Sequence, residues 1–257
     1  MTARISTGLR NFLAESGSLK DALQGGKILV YSGSQPTTAD AAPTGTLLCT
    51  FTDNDGAHTS EVAATGSVVL TGGASGSVNS LTVDGIALLD ASVPFNTSLT
   101  QTAADVVTAI NNSQSNPDYT ASSSGATITI TARRGTGSEA NGLVVASTTT
   151  TITKTDNNMS GGVSSVNGLK FSQSLSGILS KLASQTWSGT TATTGTAGWF
   201  RFVGPIADSG ALDTLGTQIR LDGAISTSGQ QLNFSSTSFV GGAVQTITAF
   251  DITVPAS

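Results

Sequence analysis

Charge is scarce in this chain. Asp, Glu, Lys and Arg together make up 11% of 257 residues and aromatics 5%, and there is a single cysteine, Cys49, and a single histidine, His58. Each scarcity removes a class of chemistry. One cysteine permits no intrachain disulfide and no cysteine-based metal site. One histidine permits no histidine cluster, and a Ser-His-Asp triad could use only His58, which lies in the polar run DNDGAHTSE and reads as a solvated loop residue. The net charge of -5, with no basic stripe, opposes a phosphate backbone, so no nucleic-acid partner is expected. No apolar run reaches the length of a membrane span or of a signal peptide's apolar region. The expectation is a chain made in the cytoplasm, with no membrane partner.

Small side chains fill the space that charge leaves. Glycine numbers 30, and Ser, Thr and Ala supply much of the remainder, a composition that suits strands better than a helical bundle. Residues 6–24 place Leu9, Phe12, Leu13, Leu19 and Leu23 at near-helical spacing ahead of Gly25 and Gly26, which predicts one short or broken amphipathic helix. Residues 28–31 and 46–52 read as strands, and Pro36 and Pro43 hold open the loop between them. Alternation in the second strand puts Leu47, Cys49 and Phe51 on the inner face, with the thiol as core filling.

A second pattern starts near residue 63, with strands in GSVVL, SLTVDGIALL, YTASSS, ATITITA, LVVAS and TTITKT, and a helix in TAADVVTAINN. Thr102 and Asp105 match a capping box with Asp in place of Glu, and Val106, Val107 and Ile110 give that helix an apolar face. The stretch NNMSGGVSSVNG suits a linker. Segment 168–186 stays open, since Leu175, Ile178, Leu179 and Leu182 fit a helix while Gly177 and the serines oppose it. In the final run VQTITAFDITVP, Phe250, Ile252 and Val254 share one face of a half-buried strand, with Gln245, Asp251 and Thr253 opposite. The expected fold is mainly β, a β-sandwich or barrel-like outer domain of residues 1–54 and 163–257 interrupted by a small α+β inserted domain of residues 55–162. Insertion between neighbouring strands is tolerated because domain termini often lie close together. A tandem of two or three domains is the alternative.

Motifs for catalysis do not assemble. The chain has no GxSxG elbow, no GxxxxGK[ST] and no HExxH. Gly135, Gly137 and Ala140 match GxGxxA, but a strand pattern follows where a dinucleotide site needs a helix, so a glycine turn is expected. Asp53, Asp55 and Glu61 have acidic spacing suggestive of calcium, with the glycine misplaced for the helix-loop-helix motif. Arg133 and Arg134 read as a turn with a solvated or interface role. The expectation is no catalytic, cofactor-binding or metal-binding residue, and a protein that works by its surface rather than as an enzyme.

Three segments carry a resemblance: YSGSQPTTADAAPTGTLLCTFT, WSGTTATTGTAGWFRFV and GAISTSGQQLNFSSTSFVGGAVQTITAFDITVP. Together they resemble a recurrent small virion protein of tailed bacteriophages and prophages. Tyr31, Ser32, Gly33, Pro36, Gly45, Leu47, Leu48, Gly195, Gly198, Trp199 and Arg201 carry the match, over roughly the outer domain. The inserted segment, from GSVVLTGGASGSVNSLTVDGIALL to NMSGGV, is similar to a module of phage structural proteins. The resemblance implies a virion structural protein, first an auxiliary head protein that decorates or cements the capsid. Its implied partners are the major capsid protein or other virion proteins, and further copies of itself in a homo-oligomer. The alternative is a tail or fibre adsorption protein binding a host surface ligand, and a glycan hydrolase is the third reading.

Overall fold

The computed structural model describes residues 3–253. The chain is mainly β, and it divides into two compact units: residues 1–61 with 165–257, and residues 62–164. The first junction thus falls after Glu61 rather than at 54/55, and the reason is local. The Asp55 carboxylate accepts Thr190 N–H at 3.0 Å and its hydroxyl at 2.5 Å, while Glu61 N–H donates to the Pro205 carbonyl at 2.8 Å. These bonds hold residues 55–61 in the first unit.

The first unit is built on an open, mainly antiparallel sheet whose longest strand is Gly195–Val203. Arg220–Ser226 and then Arg4–Ile5 flank it on one side. Lys27–Ser32, Leu47–Asp53, Trp187–Thr190 and Val244–Ile247 follow in order on the other. The sheet does not close into a barrel, because Arg4–Ile5 and Val244–Ile247 end it at opposite edges. Strand alternation turns Phe200 and Phe202 to one face, where they meet Ile28, Val30 and Phe51 in a core that excludes water. Aromatics concentrate there. The Phe171 and Trp187 rings meet edge-on at 5.4 Å, and Phe250 lies 5.7 Å from Phe200. Each such side chain contributes about 1.5–3 kcal/mol on burial. The helical pattern near the start becomes two helices, α1 (Thr7–Glu15) and α2 (Leu19–Leu23). Ser6 caps α1 by accepting Leu9 N–H, and Ser18 with Asp21 forms a capping box on α2.

Several expectations are corrected here. Leu47 is 39% exposed, and Leu48 takes its place inside. The cause is a β-bulge: Val30 pairs with Cys49 but Tyr31 pairs with Leu47, so Leu48 is an extra residue and the alternation reverses across it. Segment 168–186 is not helical. Ser176 and Gly177 adopt positive φ values of 51° and 76°, a two-residue turn that closes a hairpin in which Leu175 and Ile178 exchange backbone hydrogen bonds. The last run is two strands rather than one: Val244–Ile247 lies in the large sheet, while Asp251–Thr253 pairs with Ile178–Ser180. Phe250 is buried between them in sequence, and Val254 lies outside the described residues.

The second unit carries two four-stranded sheets. In one, Ser77–Val83 pairs with Val145–Thr150 and with the short strands Ile86–Ala87 and Val93–Pro94. In the other the order is Thr153–Ser160, Thr65–Gly72, Thr127–Ala132 and Tyr119–Ser124. Helix α3 (Leu99–Asn111) lays Val106 and Ile110 onto a core with Val68, Val78 and Ile128. Its cap is Ser98, whose side chain accepts Gln101 N–H, so Thr102 and Asp105 do not form the expected capping box. Thr102 lies a turn inside, bonding back to the Ser98 carbonyl, because the helix starts earlier than its apolar stripe. Nor is NNMSGGVSSVNG simply a linker: its first residues end the Thr153–Ser160 strand, and Met159 is buried.

Exposed strand edges in this unit are closed by side chains. Asn111 at the end of α3 donates to the Ala121 carbonyl and accepts Ala121 N–H, copying a strand partner on the Tyr119–Ser124 edge. Asp156 accepts Ser147 N–H at 2.9 Å and its hydroxyl at 2.7 Å, and Asn158 accepts Val145 N–H at 3.3 Å. These residues join the two sheets where no backbone ladder runs. Burial opposes ionisation of Asp156, but bonds from Lys154 and Ser147 prevail and hold its carboxyl below the ordinary value.

Candidate functional site

The second face of the large sheet is also buried, but it carries charge. Arg201 lies directly opposite Asp222 across two strands, and Arg220 lies two residues before Asp222 on the same face. All three are at most 1% exposed. An unpaired charge in such a place costs several kcal/mol, so each must be matched. Arg201 grips Asp222 through Nε–Oδ1 and Nη2–Oδ2, both 2.8 Å, and Arg220 grips Asp208 through two bonds of 2.6 Å. Burial raises the Asp222 pKa against the pull of Arg201. At Arg220 burial acts to lower the pKa, and the Asp208 carboxylate overrides it, leaving the guanidinium more basic than usual.

The guanidinium N–H groups left over reach two loops. Arg201 Nη1 donates to the Ala41 carbonyl at 3.0 Å, and Arg220 donates to the carbonyls of Asp40 at 3.1 Å and Ala211 at 2.9 Å. Loops 33–46 and 205–218 are thereby fixed by side chains in place of a backbone ladder. Asp40 extends the clamp, since its carboxylate accepts Thr7 N–H and the Thr7 hydroxyl, both at 2.8 Å, at the first turn of α1. At Asp213 burial opposes ionisation, but backbone N–H groups of Gln218, Thr217 and Leu215 lower its pKa and close the second loop.

Aromatic stacking completes the face. Tyr31 lies on Trp199 with ring centroids 4.6 Å apart and planes 13° from parallel, and Trp199 Nε1 donates to the Thr44 carbonyl at 3.2 Å. Burial raises the Tyr31 pKa. Arg201 sits 5.5 Å from the Trp199 ring. Two glycines allow the backbones to approach. A Cβ on Gly198 would lie 2.0 Å from the Gly33 carbonyl oxygen, and one on Gly45, at φ +78°, would lie 2.0 Å from that of Ser32.

The residues singled out by sequence therefore converge. Tyr31, Gly33, Gly45, Trp199, Gly198 and Arg201 belong to one clamp on loop 33–46, and the Pro36 carbonyl accepts from Arg4. Leu47 falls outside it, exposed beside the bulge. Sequence reasoning missed Asp40, Asp208, Arg220 and Asp222. The pattern RLDG, with two charges on one face of an otherwise apolar strand, was the available signal.

Elsewhere the candidate residues stay apart. His58 is half-buried, not a freely solvated loop residue: its Nε2 lies 3.0 Å from the Gly25 carbonyl, and burial lowers its pKa against that contact. Burial pushes the Cys49 thiol up to about 12, far from a reactive thiolate. Gly137 opens a single 3-10 turn, Gly137–Ala140, ahead of a strand. Arg133 pairs with Asp118 at 3.4 Å at the surface. Among the described residues no three His, Cys, Asp or Glu side chains are grouped to hold a metal ion, and no helix is long and apolar enough to cross a membrane. No family model, curated protein or solved structure matches this chain.

Proposed function

We propose that this protein is a structural component of a tailed-bacteriophage virion, and specifically an auxiliary protein that decorates or cements the head through protein-protein contacts. The observation that carries the reading is where the motif residues go. Tyr31, Gly33, Gly45, Gly198, Trp199 and Arg201 spend their chemistry on holding one surface loop rigid, and none is left pointing at a reacting group. A recurrent motif used in this way defines a docking body, since a pre-set loop binds without an ordering cost.

The open sheet suits the same role. Its terminal strand Val244–Ile247 pairs on one side only, and Val244 is 63% exposed, so a neighbouring chain could add to it by β-augmentation. The second unit, with its edges closed by Asn111, Asp156 and Asn158, would contribute a module that resists edge-to-edge aggregation. The test is reconstitution: heads stripped of the protein are mixed with purified chain and sedimented. Saturable co-sedimentation at many copies per head is expected. Binding to isolated tails alone would favour the adsorption reading and refute decoration.

A further inference from the structure

Arginine is a small population here, and Arg4 and Arg10 form no salt bridge among the described residues. Arg201 and Arg220 are paired inside the sheet, and Arg133 pairs with Asp118. Arg4 and Arg10, in contrast, bond only to neutral oxygens among the described residues, Arg4 to the Pro36 carbonyl and Arg10 to the Thr7 hydroxyl at 2.8 Å. Both line the same open cleft of about 350 Å³, together with Thr37, Thr38 and Asp40. The Asp40 oxygens are already occupied by Thr7, so the cleft presents two cations and two hydroxyl-bearing residues against one committed carboxylate.

Its walls are also the parts of the molecule that the buried network fixes. One wall is loop 36–41, whose carbonyls at Asp40 and Ala41 are held by Arg220 and Arg201. The other is the start of α1, where Ser6 donates to the Gln218 carbonyl at 2.6 Å and accepts Arg220 N–H at 3.0 Å. The helix terminus is not itself the receptor, since Ser6 and Asp40 already take its leading N–H groups. The charge lies on the two guanidiniums, and neither forms a salt bridge with an internal carboxylate, although Arg4 lies opposite Asp222 across the strand pair and feels its charge.

We infer that this cleft is a receptor for a carboxylate presented by a partner protein: an Asp or Glu side chain inserted between Arg4 and Arg10, with Thr37 and Thr38 at its margin. Fork-shaped guanidiniums favour a planar carboxylate over a point charge, because two parallel N–H bonds can form to its two oxygens. The chain's net charge of -5 disfavours a polyanion such as nucleic acid. A single carboxylate on a projecting segment meets only the local field. The inference rests on the reading that the protein works by protein-protein contact, but the cleft can be tested without a virion.

The experiment follows the arginine side-chain Nε–H signals of the full chain in NMR while sodium acetate is added at constant ionic strength, with sodium chloride and sodium phosphate in parallel. Saturable shifts of the Arg4 and Arg10 signals with acetate, absent with chloride, are expected. The exposed position allows a variant that spares the fold: Arg10→Gln should weaken acetate binding roughly tenfold while Arg10→Lys loses less, as expected when a charge-assisted bond is removed or retained. Equal response to chloride, stronger binding of phosphate than acetate, or acetate binding unchanged in Arg10→Gln would each overturn the proposal. Head co-sedimentation of Arg10→Glu then separates the two claims. Loss of binding supports the cleft as the docking point. Acetate binding in the parent chain together with unimpaired head binding of Arg10→Glu leaves decoration standing and refutes docking through this cleft.

Discussion

Removing Arg201 should damage the first unit far more than removing Arg201 and Asp222 together. In Arg201→Met the Asp222 carboxylate loses both 2.8 Å bonds of its fork at a site that is 0% exposed, and the Ala41 carbonyl loses its closer donor, keeping only Arg220 Nη1 at 3.5 Å. Breaking one side of a buried pair costs about 3–5 kcal/mol. In Arg201→Met with Asp222→Leu no charge is left stranded, and the chief remaining penalty is the weakened hydrogen bonding of the Ala41 carbonyl, about 1 kcal/mol. Urea unfolding followed by tryptophan fluorescence measures this cleanly, because Trp187 and Trp199 are the only tryptophans and both lie in the first unit. The single variant should also recover as the medium is acidified. Its stranded Asp222 has a folded-state pKa raised by burial, so the folded form binds the proton more tightly. Stability therefore increases as pH falls from that raised value toward the unfolded carboxylate value of about 3.9. A single-variant cost below about 1 kcal/mol, or a double variant as damaged as the single, would refute the claim that this pair is matched charge holding a loop.

Other consequences can be checked separately. Thr59 and Val166 exchange backbone hydrogen bonds of 3.2 and 3.1 Å, so replacing residues 62–164 by a short glycine-containing turn should leave a first unit with the parent tryptophan emission and a cooperative urea transition. Asp156→Asn should lower the stability of the second unit by about 1–2 kcal/mol, read as faster hydrogen exchange at Ser147 N–H. Because the folded Asp156 pKa is depressed, its contribution is full above about 3.9 and is lost as pH falls through the lower folded value, so the variant and parent should converge in acid. Cys49, 1% exposed and with its thiol pushed up to about 12, should not react with a thiol reagent at pH 8 until urea unfolds the first unit.

Much of the fold could be read from periodicity, and the failures have physical causes. Helical spacing in TAADVVTAINN reports burial directly, and the helix forms there. Leu47 was misassigned because a bulge reverses alternation, and a bulge depends on the partner strand, not on its own sequence. Segment 168–186 was ambiguous because leucine spacing alone does not distinguish a hairpin from a helix; the Ser176-Gly177 turn decides it. The clamp was half visible. Trp199 and Arg201 stood out within a motif, but Asp208 and Asp222 are ordinary acids in sequence, and only the register across Gly195–Val203 and Arg220–Ser226 and the path of loop 205–218 bring them to the arginines.

The central claim is that this chain is a repeated component of a phage head. Its copy number in purified tail-less heads, measured by quantitative mass spectrometry against the major capsid protein, tests that most directly. The account predicts many copies in a fixed ratio to the shell subunits. Absence from tail-less heads, with the protein recovered in the tail fraction, would contradict it.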